Sequence, residues 1–218
     1  MKPLAALLCA MLLAACVGPE GSDRVNGSVD VAEGQPLADA STVNGAIRVA
    51  ENAAVKAATT VNGSITLGRN AGATSATTVN GSITVGEGAH VTGNIEAVNG
   101  AITLRRGADV GGELRNVNGA FAIEAAHVGG GIRTVAGDIT IGADSRIDGG
   151  IEYEPASGFS ISFTKHVPRV VIGPRAVVTG PLEFAREVQL YVSDRARIGA
   201  VTGATPIPYS GDQPPAGG

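Results

Sequence analysis

The tripeptide Val-Asn-Gly recurs at a nearly constant spacing between Val25 and Gly119. It occurs six times, with its asparagines at Asn26, Asn44, Asn62, Asn80, Asn99 and Asn118. A seventh, degenerate copy follows as Val135-Ala136-Gly137, and successive copies are 18 or 19 residues apart. Self-similarity at a fixed period near 20 residues is typical of stacked supersecondary units. This period constrains the fold more than any other feature of the chain.

The fourth copy shows the repeating unit most clearly. Its apolar residues occur in pairs that are two positions apart, as in Ile83 with Val85 and Ala89 with Val91, and Ile95 follows. Spacing by two places both side chains on one face of a strand. Three such segments fill one copy, so we predict an all-β, single-stranded β-helix (β-solenoid) with three short strands per 18–19-residue coil. The few aliphatic residues of one coil cannot offset the entropy of ordering it, so the coils must stack.

The Asn-Gly pair in each copy predicts a tight corner, because both residues tolerate positive φ. The period would also place the six asparagines one above another. Their side-chain amides could then hydrogen-bond along the column, as asparagine ladders do in cross-β stacks. The alternative is that each asparagine serves only its backbone conformation and leaves its amide in water.

The N-terminus resembles a bacterial lipoprotein signal. Met1-Lys2-Pro3 precedes an apolar run from Leu4 to Ala15, which is too short to span a bilayer. The run ends in Leu-Ala-Ala-Cys, and this resemblance implies that residues 1–15 are removed and that Cys16 is lipidated. Residues 16–24 would form a linker. Val17 stands where aspartate favours inner-membrane retention, so the resemblance implies a cell-envelope protein anchored in the outer membrane.

Cysteine content and charge exclude several classes of site. Cys9 leaves with the signal and lipid occupies Cys16, so no thiol remains for a disulfide or a thiolate metal site. The formal charge is −4, and removal of Lys2 makes it −5. With no basic stripe we expect no nucleic-acid partner. The expected partners are the membrane, through the lipid, and a second copy or an envelope component; no small-molecule substrate is evident.

The C-terminal third departs from the period. We predict a solenoid over residues 25–202 with an insertion at about 153–169. The insertion carries an alternating apolar face of Phe159, Ile161 and Phe163, which is a candidate interaction site or a lid on the solenoid's own flank. Residues 203–218 are rich in Pro and Gly, which predicts a disordered tail.

Two segments resemble the core repeat of the bactofilins, which are polymer-forming bacterial scaffold proteins. They are Val85-Gly-Glu-Gly-Ala-His-Val-Thr-Gly-Asn-Ile95 and Ile172-Gly-Pro-Arg-Ala-Val-Val-Thr-Gly-Pro-Leu182. The Val-Asn-Gly-Ser-Ile-Thr copies resemble exported β-strand-repeat families described as adhesins. The first resemblance implies a right-handed coil with a triangular section. Bactofilins are typically cytoplasmic, whereas this chain carries an export signal. Left-handed hexapeptide-repeat acyltransferases require a small residue at the positions that Ile83 and Ile95 occupy here, so the sequence does not favour that left-handed fold.

Candidate catalytic residues are few. The histidines are His90, His127 and His166, and the first two should point outward from the second side, two coils apart, too far to share one zinc ion. The acidic pairs are Asp144 with Asp148 and Glu152 with Glu154. Polysaccharide-cleaving β-helices add long loops and aromatic platforms to such acids, but this chain has no Trp. We therefore expect no catalytic site, no metal and no cofactor.

A column of threonines should line the outer face of the first side. It comprises Thr66, Thr84, Thr103 and Thr140, and it is interrupted by Arg48 and Ala122. Because its repeated outer residues are small and polar, we expect a non-catalytic structural lipoprotein of the envelope that self-associates as a scaffold. The alternatives are a surface adhesin for carbohydrate or protein, and a glycan-processing β-helix enzyme.

Overall fold

The computed structural model describes residues 21–155 and 167–215. All the regular elements in these two ranges are β-strands, and paired strands run parallel. Each strand pairs with the equivalent strand one coil away, as Ile65–Leu67 does with Ile83–Val85. The chain is thus a β-solenoid of about nine turns, which confirms the predicted fold class.

Each regular coil contributes to three faces. The first face follows the Val-Asn-Gly corner and is a ten-stranded sheet. Its strands are Val29–Val31, Ile47–Val49, Ile65–Leu67, Ile83–Val85, Ile102–Leu104, Phe121–Ile123, Ile139–Ile141, Arg169–Ile172, Gln189–Ser193 and Pro206–Tyr209.

The second and third faces join into one sixteen-stranded sheet. They join because two nine-residue strands, Ala54–Asn62 and Gly72–Asn80, continue around the corner between them. The other strands of the second face are His90–Val91, Asp109–Val110, His127–Val128, Arg146–Ile147, Val177–Val178 and Arg197–Ile198. The other strands of the third face are Gly21–Asn26, Asp39–Asn44, Ile95–Asn99, Leu114–Asn118, Ile132–Ala136, Ile151–Tyr153, Leu182–Phe184 and Val201–Thr202.

This corner explains the change of period from 18 to 19 residues. In the third coil, Ala73 and Ala76 pair with Val91 and Ile95 of the fourth, so the fourth coil has one extra residue there. This corner contains Gly93 in the fourth coil and Gly111-Gly112 in the fifth. In both coils two short strands replace the continuous strand of the third coil. The longer corner is therefore a local insertion that leaves the registers of the faces intact.

The core is a set of aliphatic columns. On the first face, one inward column is fully buried from Ile47 through Phe121 to Leu190. The early coils fill their second and third faces with small buried alanines, namely Ala53, Ala58, Ala71, Ala73 and Ala76. Aromatic side chains enter the core only from Phe121 onward, and Tyr153 and Phe184 pack at 5.5 Å between ring centroids. The interior is therefore narrow at the N-terminal end and wider near the insertion.

On the inner side of the Val-Asn-Gly corners, buried threonine hydroxyl groups hydrogen-bond to the backbone. Thr60 and Thr78 are fully buried on the third face, although an inward strand position predicts an apolar residue. Each donates its Oγ1 hydrogen to a glycine carbonyl, Gly45 and Gly63 respectively, at 3.0 Å. A buried polar group is tolerated where it is hydrogen-bonded. These threonines therefore tie each coil to the corner of the coil before it.

The glycine of Val-Asn-Gly is required by close packing between coils. A Cβ on Gly63 would lie 1.9 Å from the carbonyl oxygen of Gly45. The motif asparagines do not adopt positive φ, which corrects the turn argument made from the sequence. The asparagines with positive φ are instead Asn52 and Asn70, at 57° and 52° in the corner after the first face.

The ends of the solenoid differ from the sequence prediction. The linker predicted over residues 16–24 is wrong from Gly21, because Gly21–Asn26 already pairs with Asp39–Asn44. The disordered tail predicted from residue 203 is also wrong, because Pro206–Tyr209 pairs with Gln189–Ser193. Prolines are tolerated there since an outermost strand has one unpaired side. Between the two ends of the solenoid, the regular strands stop at Tyr153 and resume at Arg169.

We expect Gly63→Ala to destabilise the protein by about 1–3 kcal/mol, because the new methyl group overlaps a backbone oxygen that cannot move without shifting a coil. Gly72→Ala is the matched control, since its Cβ would make an ordinary 3.6 Å contact with Ala54. Urea unfolding followed by circular dichroism measures both. Equal stability of the two variants would contradict the packing requirement.

Candidate functional site

The motif asparagines form a ladder along the corner between the third and first faces. Each side chain donates from Nδ2 to the Oδ1 atom of the asparagine one coil earlier. The distances are 3.0 Å for Asn44 to Asn26, 2.9 Å for Asn62 to Asn44, 3.0 Å for Asn80 to Asn62 and 3.1 Å for Asn99 to Asn80. Five of the six asparagines therefore share one continuous chain of amide hydrogen bonds.

The sixth asparagine is aligned with the ladder but does not join it. Asn118 pairs with Asn99 at the backbone level, yet its amide makes no hydrogen bond within the described part of the chain. In this coil Asn116 replaces the inward threonine and donates its Nδ2 hydrogen to the Gly100 carbonyl at 2.7 Å. The ladder thus ends at Asn99, one coil before Asn116, although Ala97 already interrupts the buried hydroxyl column in the coil of Asn99.

A second ladder, of alternating imidazole and carboxylate groups, lies on the outer side of the second face. His90, Asp109 and His127 occupy the same strand position in three successive coils. Asp109 contacts Nδ1 of His90 at 2.8 Å and Nδ1 of His127 at 2.5 Å. Nε2 of His127 contacts Asp148 at 2.9 Å, and Arg146 contacts the other oxygen of Asp148 at 2.6 Å. We name this set the His–Asp column.

Hydrogen bonding shifts the pKa values of the three central groups in this column. The bonds to Asp148 and then to Asp109 raise the pKa of His127 above its ordinary value. The bond from His127 lowers the pKa of the Asp109 carboxyl, and the bonds from His127 and Arg146 lower that of Asp148. Only an imidazolium donates from both ring nitrogens. The geometry therefore favours the protonated form of His127 between two carboxylates.

The sequence correctly placed His90 and His127 on the outer side of the second face, two coils apart. The sequence did not predict that Asp109 of the intervening coil joins the two histidines. No three His, Cys, Asp or Glu side chains in the described ranges converge to form a metal site. The column links neighbouring coils along the flank.

Three of the four acids considered as candidate catalysts are paired with basic residues. Asp144 lies in the corner after the first face, where Arg175 binds it through two hydrogen bonds of 2.6 and 2.7 Å. Glu152 lies on the third face, 3.3 Å from Arg133 of the preceding coil. Asp148 belongs to the His–Asp column. These contacts neutralise the acids on the solenoid surface.

A shallow groove runs along the corner between the second and third faces. It has a volume of about 290 Å³, and its floor includes the glycine pairs 130–131 and 149–150. Glu113, Arg133 and Glu152 line it on the third-face side. Arg133 bridges the two carboxylates at 3.7 and 3.3 Å. The groove is thus a polar surface lined by three carboxylates, with that of Glu183, and by one guanidinium group.

The threonine column on the first face follows the predicted order. Thr66, Thr84 and Thr103 are successive backbone partners, and Ala122 separates them from Thr140. The column becomes apolar beyond Thr140, where Val171 and Tyr191 are covered together with Tyr209. The C-terminal segment covers this patch, as Arg169 hydrogen-bonds the Pro215 carbonyl at 2.6 Å.

The remaining predicted site residues lie outside the described ranges. They are the lipidation site Cys16, the insertion residues Phe159, Ile161 and Phe163, and His166. The interaction surface assigned to the insertion stays a prediction, as does lipidation.

No protein-family model, curated protein or solved structure matches the chain. Within the described residues, none of the secondary structure is a helix long and apolar enough to cross a bilayer.

We expect Asn80→Ala to lower the free energy of unfolding by about 1 kcal/mol. It removes one hydrogen bond that the Asn80 side chain donates and one that it accepts, and it leaves the backbone register intact. Asn118→Ala is the matched control, since the same corner position there carries no ladder bond. Urea denaturation of both variants measures the difference. A loss below about 0.5 kcal/mol for Asn80→Ala would contradict a stabilising ladder.

The His–Asp column predicts a pH-dependent contribution to stability. Because the folded pKa of His127 is raised, its contribution is complete below the unfolded value of about 6.5 and is lost as pH rises through the folded value. The lowered pKa values of Asp109 and Asp148 make their contributions complete above about pH 4 and lost as pH falls.

We therefore expect His127→Gln to lower the urea midpoint more at pH 5.5 than at pH 8.5. Asp148→Asn should show the same trend, because its hydrogen bond is the largest cause of the His127 shift. A midpoint difference that is independent of pH in both variants would contradict this account.

Proposed function

We propose that this protein is a non-catalytic structural rod of the bacterial cell envelope, lipid-anchored at Cys16 and able to associate with itself. The observation that carries the proposal is the unbroken stack of about nine coils, in which a backbone-bonded sheet follows every face. At a strand spacing of 4.7–4.9 Å the stack is about 43 Å long. Such a stack is stiff because each coil is fixed to its neighbours.

The side-chain columns support a structural role. The asparagine ladder, the buried threonines and the His–Asp column each link neighbouring coils rather than converge on one point. A repeated surface of this kind has few places where a nucleophile, an acid and a base can meet around one substrate. The repeated side chains thus connect successive coils along the rod.

The N-terminal sequence supports envelope anchoring. An apolar run ending in Leu-Ala-Ala-Cys precedes the first described strand, and Cys16 is five residues before Gly21. Several acyl chains on one residue provide stable membrane binding, whereas a single chain does not. With so short a connection, the rod would begin close to the bilayer surface.

Metabolic labelling with an alkyne analogue of palmitate tests the anchor in a bacterium with two membranes. We expect label on the wild-type protein in outer-membrane fractions of a sucrose gradient. Cys16→Ser should lose the label, whereas Cys9→Ser, the matched control, should keep it. Label that persists on Cys16→Ser, or a wild-type protein found unlabelled in the soluble fraction, would overturn the anchoring proposal.

A further inference from the structure

The two ends of the solenoid present different backbone groups, because the hydrogen bonds along the first face have a direction. Inward residues donate their N–H groups to the following coil, as Ile47 does to Ser64 at 2.9 Å and Ile65 to Ser82 at 2.9 Å. Successive residues of a strand direct these groups to opposite sides. The inward row therefore points toward the C-terminal end, and the outward row points toward the N-terminal end.

The C-terminal end of the first face is closed to further strand pairing. Its last strand is Pro206–Tyr209, and Pro206 and Pro208 are in register with the inward residues Leu190 and Val192. Those are the two positions whose N–H groups would point out of the rod. Proline has no N–H group, so it blocks the addition of another strand at a sheet edge.

At the N-terminal end of the first face, the described residues leave one side of the strand Val29–Val31 unpaired. Val29 donates to Ala46, and Val31 accepts from Ala50, both at 2.9 Å. Between them, the N–H and C=O groups of Asp30 point away from the second coil. Val29–Val31 pairs with one strand alone among the described elements, so these groups meet no other strand.

Apolar and amide groups are exposed at the same end. Val25 and Leu37 are 69% and 54% exposed, and they are two of the three large hydrophobic side chains exposed in the described ranges. Asn26 heads the asparagine ladder as an acceptor, and its own Nδ2 has no partner among the described residues. Exposed edges with apolar groups are typical sites of pairing with another chain.

We propose that the N-terminal edge, formed by Gly21–Asn26 and Val29–Val31, docks against the same edge of a second copy in an antiparallel, two-fold symmetric dimer. This inference rests on the self-association in the proposed function and names its surface. A two-fold axis across the rod brings Asp30 beside its equivalent, so each residue supplies both a donor and an acceptor. The prolines at the other end limit first-face pairing to two copies.

Asp30→Pro tests the edge in the full-length protein purified in detergent. It removes an outward N–H group that makes no bond to any described residue, and outermost strands tolerate proline. Analytical ultracentrifugation should show a dimer for the wild type and a dissociation constant raised about tenfold or more for Asp30→Pro. Asp30→Ala, the matched control, keeps the N–H group and should remain dimeric. An Asp30→Pro protein that dimerises like the wild type would overturn the proposal.

A second variant tests the closed end and does not depend on Asp30→Pro folding. Replacing both Pro206 and Pro208 by alanine restores the outward N–H groups, so oligomers larger than the dimer should appear at the same protein concentration. A wild-type protein that already forms such oligomers, or a double variant that remains dimeric, would contradict the role assigned to the prolines.

The bilayer is the competing occupant of this edge, because the five residue steps from Cys16 to Gly21 span at most about 18 Å. A photo-reactive amino acid at Val25, illuminated in membranes, should yield an adduct of twice the chain mass. The same probe at Ile207, 42% exposed at the other end, should not. Lipid adducts alone at Val25 would overturn the dimer. Palmitate labelling reports anchoring independently, so failure of either proposal is recognisable.

Discussion

Backbone hydrogen bonding between successive coils is the interaction on which the rest of the structure depends. A single coil has a few small or aliphatic inward side chains, too few to offset the entropy of ordering about 18 residues. Stacking lets every coil share its apolar layer with two neighbours. It also brings the glycines of successive corners so close that a Cβ on Gly63 or Gly81 would lie about 2 Å from a carbonyl oxygen. The motif glycine is therefore a condition of the stack.

Stacking also determines how side chains act, because a repeated position becomes a column. Asparagine at one corner produces a ladder of amides, and threonine at one inward position produces a row of buried hydroxyls bonded to glycine carbonyls. On the second face, His90, Asp109 and His127 form a chain of alternating imidazole and carboxylate groups because their coils are adjacent. Each column links neighbours along the axis, which is why the same repeat supports a rod more readily than a cleft.

The sequence predicted what the period controls and missed what depends on the exact register. The β-solenoid, the three faces and the vertical alignment of the asparagines all follow from the 18–19-residue spacing. The pairing of His127 with Asp109 and Asp148 did not, since these residues differ in type and are 18 and 21 positions apart. The strand at Pro206–Tyr209 was missed because its prolines predict disorder unless the strand is known to be outermost. The hand of the coil stays a prediction.

Hydrogen–deuterium exchange resolved along the chain tests most directly whether coil-to-coil bonding holds the molecule together. If each coil is stabilised by both neighbours, amides between Ile65 and Tyr153 should exchange slowest and in similar time, with faster exchange toward both ends of the described stack. Fast exchange of one central coil between two protected ones would contradict the account, because a coil cannot lose its bonds while both of its neighbours keep theirs.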